Sequence, residues 1–271
     1  MEVRAIGRRC ATGAATVLGD IAQGTTPWAA TSWPELLKHL GKPDAAVREL
    51  DVGYRVPRQI LDYASRLLPA IAPGLAPARS LRADAAALSV VKVAEGELGA
   101  WVAAGCATAL ERPGSVAVIC ADAQVPEVST ALAAAGFSFS VLGAPEPAPA
   151  TPPATPTTPV TPPRISDISE MSGDGRLAIV PVTLAKGLEF DHVVLVEPGR
   201  IATGEAYGLR RLYVALTRAV SRLTVFHAEP LPAELLLRTI KRVDLSRPIP
   251  AFSPGALRGR RGSDILRGSI R

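Results

Sequence analysis

The residues with the strongest chemical character are arginines set beside apolar runs. In "LRRLYVALTRAVSRLTVFH", residues 209–227, Arg218 stands between Leu216 and Ala219, so its side chain is expected close to a packed face. Burying a guanidinium costs free energy unless a suitable acceptor receives it. Arginine is also the side chain that grips two phosphate oxygens at once. This pattern predicts an anionic ligand for Arg218.

Two other short blocks carry groups suited to a nucleotide. In "GDIAQ" the amide of Gln23 follows a predicted strand and is expected to meet a ligand at the carboxyl edge of the sheet. In "GYRVP" the ring of Tyr54 could stack on a base while Arg55 contacts a phosphate, just before a helix that Pro57 starts. The alternative, favoured for this block by itself, is that Tyr54 packs onto the core and Arg55 lies at the surface.

A third block, "AKGLEFD" at residues 185–191, combines a turn with a carboxylate. Gly187, in the Lys–Gly turn, would let the backbone approach a ligand closely. Glu189 offers a carboxylate suited to a ribose hydroxyl. Together the blocks indicate a nucleotide site assembled from distant parts of the chain.

The elements that position these residues are short aliphatic runs alternating with helical segments. This alternation predicts an α/β fold with a mostly parallel sheet covered by helices on both faces. The predicted strands are 15–20, 88–93, 115–120, 176–182, 192–197 and 222–227, and the predicted helices are 33–40, 57–71, 97–111, 124–136 and 209–219.

Composition limits the remaining possibilities. Residues 144–163 are rich in proline and threonine and predict a disordered insert, and the chain beyond residue 243 loses its order signals. The net charge of +5 lies mostly in the arginine-rich tail after residue 257, which is expected to be disordered and solvated, with non-specific phosphate binding as the alternative. Three cysteines and three histidines without metal spacing predict no metal site. Without a signal peptide or a long apolar run, a cytoplasmic protein with no membrane partner is expected.

Taken in order, GDxxQ, GYR, AKGLEFD and LYVALTRA resemble the third to sixth conserved blocks of UvrD/Rep-type superfamily 1 helicases. The resemblance covers about residues 15–229. It implies a RecA-like (P-loop NTPase-type) second lobe that binds ATP. It divides the chain into a remnant of the first lobe at 1–49, the helicase C-terminal domain at 50–229 and a tail at 230–271.

The resemblance also implies a role for each matching residue. Gln23 would sense the terminal phosphate of ATP, and Arg55 would contact that phosphate. Tyr54 would stack on the adenine and Glu189 would bind the ribose. Arg218 would be the arginine finger that neutralises charge during phosphoryl transfer.

The other half of such an ATP site is absent from the sequence. No G-x-x-x-x-G-K-[ST] loop occurs, and no acidic D-E-x-Q block that would hold magnesium. The helix predicted in "MEVRAIGRRCATGAA" corresponds to one that follows the magnesium block in the family. The chain alone is therefore expected to be inactive, with a first RecA-like lobe supplied in cis or in trans.

Two departures from DNA-unwinding members refine the resemblance. Thr183 stands where members that walk on DNA have a histidine, and Thr26 where they have an aromatic residue. Trp28 matches a base-stacking position of the family, with a buried tryptophan as an equal alternative. The chain looks most like the bacterial helicase-like ATPases that recycle RNA polymerase. The alternatives are a non-catalytic module that docks on RNA polymerase or DNA, and a truncated gene product.

Overall fold

The computed structural model of the protein describes residues 2–10, 14–144 and 175–236. The predicted insert at 144–163, apart from residue 144, and most of the predicted tail lie outside these ranges. Within the described ranges, none of the helices is long and apolar enough to cross a membrane.

Parallel strands form the framework of the described chain. A pair of two-residue strands, β1 and β2, stands apart from a six-stranded sheet with the order β3-β8-β7-β4-β6-β5, and every pairing is parallel. The strands are β1 (Val52–Gly53), β2 (Arg79–Ser80), β3 (Leu88–Lys92), β4 (Val116–Cys120), β5 (Ser140–Val141), β6 (Leu177–Pro181), β7 (Phe190–Val196) and β8 (Ala219–His227).

Helices cover both faces of this sheet. They are α1 (Glu2–Arg9), α2 (Trp33–Leu40), α3 (Arg58–Ala64), α4 (Leu68–Ile71), α5 (Leu98–Leu110), α6 (Val125–Ala134), α7 (Pro198–Gly204) and α8 (Gly208–Leu216), with short 3-10 turns between several of them. Helices α3, α4, α7 and α8 contribute to one hydrophobic core, and α5 and α6 contribute to a second.

Strand β4 shows that the sheet lies between the two hydrophobic cores. All five of its residues are buried, and their side chains alternate between the two cores. Ala117 and Ile119 pack with α3 and α8, whereas Val118 and Cys120 pack with α5 and α6. Apolar side chains on both faces are typical of a parallel strand covered by two helical layers. The predicted α/β class with a mostly parallel sheet is confirmed.

The strand predicted at 15–20 is wrong. Residues 14–20 have no regular secondary structure, and a 3-10 turn, Ile21–Gln23, follows them. An isolated strand leaves its backbone donors and acceptors unpaired, and no described strand lies beside this segment. Its apolar side chains consequently face outward, with Leu18 80% exposed.

Strands β7 and β8 set the position of the site. They are parallel neighbours, with Phe190 opposite Ala219, so both strands begin at the same edge of the sheet. The backbone N–H of Phe190 donates to the carbonyl of Arg218 at 3.0 Å. The residues that directly precede the two strands, Glu189 and Arg218, are therefore brought together by sheet register alone.

Helix α8, which leads into Arg218, packs tightly against α7 at its first residue. A Cβ at Gly208 would collide with the backbone carbonyl oxygens of Ile201 and Ala202. We expect Gly208→Ala to lower the free energy of unfolding by about 1–3 kcal/mol, because backbone atoms must shift to make room. Urea denaturation followed by circular dichroism measures this loss.

Gly204→Ala is the matched control, because a Cβ at Gly204 has nothing within 4 Å. Its effect should stay within about 0.5 kcal/mol. Equal stability of the two variants would contradict the close packing of α7 on α8.

Candidate functional site

Arg218 is a buried arginine, 6% exposed, in the turn between α8 and β8. Its Nε donates to the carbonyl of Val214 and its Nη1 to the carbonyl of Leu188, both at 3.0 Å. Its Nη2 lies 3.2 Å from Oγ1 of Thr217 and 3.5 Å from Oε1 of Gln23. Burial lowers the pKa of Arg218, and the nearby Glu189 carboxylate partly offsets that effect. The predicted position close to a packed face is confirmed.

Gln23 is held beside Arg218 by a short capped turn. Asp20 caps this turn, accepting from the backbone N–H of Ala22 at 2.9 Å and from Nε2 of Gln23 at 2.8 Å. The amide of Gln23 therefore lies between the carboxylate of Asp20 and the guanidinium of Arg218. Its expected place at the carboxyl edge of the sheet is wrong, because no strand leads into it and Arg218 precedes β8.

Arg55 and Glu189 form an ion pair between Nη1 and Oε1, although 134 positions separate them in sequence. The Arg55 side chain is 62% exposed and that of Glu189 is 39% exposed. Both groups also act electrostatically on Arg218. Exposed ion pairs contribute little stability, about 0–1 kcal/mol, so a ligand could take the place of either partner at small cost.

The remaining predicted binding residues differ in what surrounds them. Tyr54 is 71% exposed, so the alternative that it packs onto the core is wrong. Gly187 has φ +86 with open space where a Cβ would be, which suits a close approach of backbone to a ligand. Trp28 is 76% exposed, so the buried-tryptophan alternative is also wrong. Within the described residues, no hydrogen bond or cation–π contact joins Trp28 to the Arg218 cluster.

Two further arginines near the cluster were not identified as functional residues from the sequence. Nη1 of Arg82 donates to the carbonyl of Arg55 at 2.6 Å and to that of Val220 at 2.9 Å. Arg210 donates to the carbonyls of Gly24 at 3.2 Å and Ile71 at 3.0 Å. All four acceptors are backbone carbonyls, which every residue type carries, so the sequence gives no signal for these contacts.

At the opposite edge of the sheet, Thr183 is bound to a carboxylate. Its Oγ1 donates to Oδ2 of Asp122 at 2.5 Å, and its backbone N–H donates to Oδ1 at 3.2 Å. Glu205 accepts from the backbone N–H of Asp122 at 3.0 Å, which places a second carboxylate close by. This edge therefore offers negative charge beside Thr183, which disfavours a phosphate there.

The chemistry of the cluster fits part of a nucleotide. Arg55 and Arg218 supply cations for phosphate oxygens, Glu189 supplies an acceptor for hydroxyl groups, and the exposed ring of Tyr54 can stack on a base. Within the described ranges no group of three or more His, Cys, Asp or Glu side chains could hold a metal ion.

Part of the chain is similar to a helicase domain family. Residues 177–226, from β6 to β8, match the family described as UvrD-like helicase C-terminal domain. The structure of the C-terminal domain of a possible DNA helicase from Lactobacillus plantarum is 21% identical, with a TM-score of 0.45, over 68% of this chain and 92% of that one. The arterivirus nonstructural protein 10 (helicase), in complex with DNA, is 16% identical with a TM-score of 0.31, over 52% of this chain and 29% of that one. No curated protein sequence matches the chain.

The matched stretch holds three of the predicted site residues, Gly187, Glu189 and Arg218. The resemblance to UvrD-type helicases is thus confirmed at the level of the C-terminal domain and over residues 177–226. This similarity does not distinguish the RNA polymerase-recycling type from other types, so that assignment stays a prediction.

The buried Arg218 and the exposed Arg55 should contribute differently to the free energy of unfolding. We expect Arg218→Ala to lower the free energy of unfolding by about 2–3 kcal/mol, because the carbonyls of Leu188 and Val214 lose a charged donor in a buried place. Arg55→Ala should cost less than about 1 kcal/mol, because its ion pair is exposed. Chemical denaturation of both variants tests this ordering, and the reverse ordering would contradict the hydrogen bonds of Arg218.

Proposed function

We propose that this chain is the C-terminal, ATP-binding half of a superfamily 1 helicase- or translocase-like ATPase. The observation that carries the proposal is the convergence of Gln23, Arg55, Glu189 and Arg218 from four separate segments onto one edge of the sheet. Each of these side chains belongs to a different helicase-like block of the sequence. The match of residues 177–226 to UvrD-like C-terminal domains supports the same conclusion.

In this proposal the buried and the exposed groups do different work. Arg218 is already oriented by Val214 and Leu188, so its guanidinium meets developing phosphate charge without first reorganising. Gln23 has its amide fixed against Arg218, which suits a sensor of the terminal phosphate. ATP, when bound, supplies the phosphoryl group that is transferred.

The exposed groups bind by exchanging partners. Arg55 leaves Glu189 to contact a phosphate oxygen, which frees the Glu189 carboxylate to accept from a ribose hydroxyl. Tyr54, whose ring is mostly exposed, stacks on the adenine. The Arg55–Glu189 pair thus keeps both side chains near the site until a nucleotide separates them.

The sequence contains no phosphate-cradling loop and no acidic magnesium block. We therefore propose that a first RecA-like lobe, in cis or in trans, completes the site and holds the magnesium ion. Most of the affinity for nucleotide would come from that lobe. The present chain by itself should bind ATP weakly and should not hydrolyse it.

Thr183 supports the narrower assignment to the RNA polymerase-recycling type. Members that walk on DNA place a histidine at this position, whereas here a hydroxyl donates to Asp122, with Glu205 nearby. An anionic surrounding is poorly suited to a DNA phosphate. RNA polymerase is accordingly the proposed macromolecular partner, and DNA contact through Trp28 is a separate proposal.

The role of Arg218 is tested in a complete ATPase formed by adding the first lobe. Arg218→Ala should lower turnover on the order of 10³–10⁵-fold, with a much smaller change in nucleotide affinity, because an arginine finger acts mainly in the transition state. Arg218→Lys should rescue poorly, because an ammonium cannot span two phosphate oxygens. Steady-state hydrolysis and nucleotide binding are measured on the same preparation, normalised to folded protein.

Two neighbours serve as comparisons. Arg55→Ala should also lower turnover, whereas Tyr54→Ala should mainly weaken nucleotide binding through lost stacking. Turnover per folded molecule that survives Arg218→Ala would overturn the arginine-finger role. Hydrolysis by the present chain alone that disappears in Arg218→Ala would overturn the half-site proposal.

DNA contact through Trp28 has its own measurement. The 76% exposed indole could stack on an unpaired base. We expect Trp28→Ala to weaken binding of a single-stranded oligonucleotide by about 1–3 kcal/mol, and Trp28→Phe to weaken it less. Fluorescence anisotropy at low salt measures the affinity. Tyr207, another exposed aromatic residue, provides the control variant Tyr207→Ala, and equal losses in both variants would remove Trp28 from the proposal.

A further inference from the structure

Arg210 bridges two segments that are remote from it in sequence. It lies in the first turn of α8, half-buried, and its two terminal nitrogens point to different carbonyls. Nη1 donates to Gly24 at 3.2 Å and Nη2 donates to Ile71, the last residue of α4, at 3.0 Å. The final carbonyls of a helix lack N–H donors within it and carry partial negative charge. The planar guanidinium donates to both carbonyls at once, from two terminal nitrogens held in a fixed geometry.

The segment that Arg210 reaches, residues 20–24, packs against α8 but has few hydrogen bonds to the rest of the described domain. Its own hydrogen bonds are local, between Asp20, Ile21, Ala22, Gln23 and Gly24. Within the described residues, the hydrogen bonds that join it to the rest of the domain come from Arg210 and Arg218. The buried side chain of Ala22 adds an apolar contact with the core. Arg210 in the first turn of α8 and Arg218 just after the helix therefore donate the hydrogen bonds to the segment that carries Gln23.

Gly24 shows how closely Arg210 fits. A Cβ at this position would lie 2.9 Å from Nη1 of Arg210 and 3.0 Å from Cβ of Ala29. The φ of Gly24 is −74°, so its backbone conformation is open to any residue and contact with neighbours is the constraint. A methyl group here would push the guanidinium away from the carbonyl without removing any charge.

We propose that Arg210 is a positioning residue of the candidate site: it fastens residues 20–24 to α8 and thereby holds the Gln23 amide beside Arg218. Arg210 would not touch a nucleotide itself. The description of Gln23 as a phosphate sensor rests on the proposed function, whereas the fastening does not. Among the described residues, the 3.5 Å contact between Gln23 and Arg218 would be the one hydrogen bond left from the body of the domain to this segment if Arg210 were removed.

Hydrogen-exchange mass spectrometry on the full chain, without nucleotide, tests the fastening. In Arg210→Gln the amides of residues 20–24 should exchange on the order of tenfold faster, as expected for the loss of a hydrogen bond from a charged donor. Exchange in α5 and α6 should not change. Arg211→Gln is the matched control, because this substitution removes the same charge from the same helix. The Arg211 side chain donates locally, to the carbonyl of Ala206.

Gly24→Ala is a second variant that keeps Arg210 and should accelerate exchange in the same segment. Nitrogen-15 spectra of the arginine side chains supply a readout at the site itself. The Arg218 guanidinium signals should shift in Arg210→Gln and Gly24→Ala but not in Arg211→Gln, because only the first two release Gln23.

Unchanged exchange at residues 20–24 in Arg210→Gln would overturn the proposal. Acceleration spread equally over α5 and α6 would also overturn it, since Arg210 would then serve general stability. If exchange at residues 20–24 accelerates but the Arg218 guanidinium signals do not shift, Arg210 does not control the contact between Gln23 and Arg218. That result would reject the positioning role. None of these measurements uses ATP. A negative result in the ATPase experiments would therefore not contradict the fastening of residues 20–24, and the two proposals can fail independently.

Discussion

The burial of one guanidinium governs the arrangement of the site. A charged group taken out of water is tolerated only if its donors are satisfied, and Arg218 satisfies its donors chiefly with the carbonyls of Leu188 and Val214. Those carbonyls belong to the connection before β7 and to α8, so the side chain joins two elements that the sheet already places side by side. The same group that suits phosphate chemistry thus also holds the local backbone together.

Because Arg218 serves both phosphate chemistry and local packing, the site has a fixed part and a part whose side chains can change partners. Arg218 and Gln23 are held by hydrogen bonds in or near the core, and Asp20 fixes the far side of the Gln23 amide. Arg55, Glu189 and Tyr54 lie toward solvent and can change partners at low cost. A site of this kind keeps its charge-stabilising groups ready while its binding groups remain open to a second protein surface.

The sequence predicted the central elements better than their periphery. Strand β4 was predictable because a parallel strand buried on both faces must be continuously apolar, and β3, β6, β7 and β8 were predictable because each contains an apolar stretch. Residues 15–20 have a similar composition but no neighbouring strand, and pairing depends on a partner that the segment itself does not encode. The strands β1, β2 and β5 have only two residues each, too few to show a hydrophobic pattern.

For the site, residue identities were predictable and their contacts were not. The blocks around Gln23, Arg55, Glu189 and Arg218 could be recognised because their side-chain types suit phosphate and ribose. The pairing of Arg55 with Glu189 depends on tertiary structure, as does the role of Arg82, whose acceptors are carbonyls common to all residues. The carboxyl edge was expected for Gln23 because a strand was expected before it, so one error of secondary structure produced the other.

The placement of β5 has an evolutionary consequence. This short strand forms the outer margin of the sheet and pairs with β6, while β4 and β6 separate it from β7 and β8. In general, lengthening an unstructured connection between two strands costs little, about 0.6 kcal/mol for each doubling of its length. Lineages could therefore extend, trim or replace the connection between β5 and β6, even with a whole accessory module, while the arginines at the opposite side of the sheet keep their geometry.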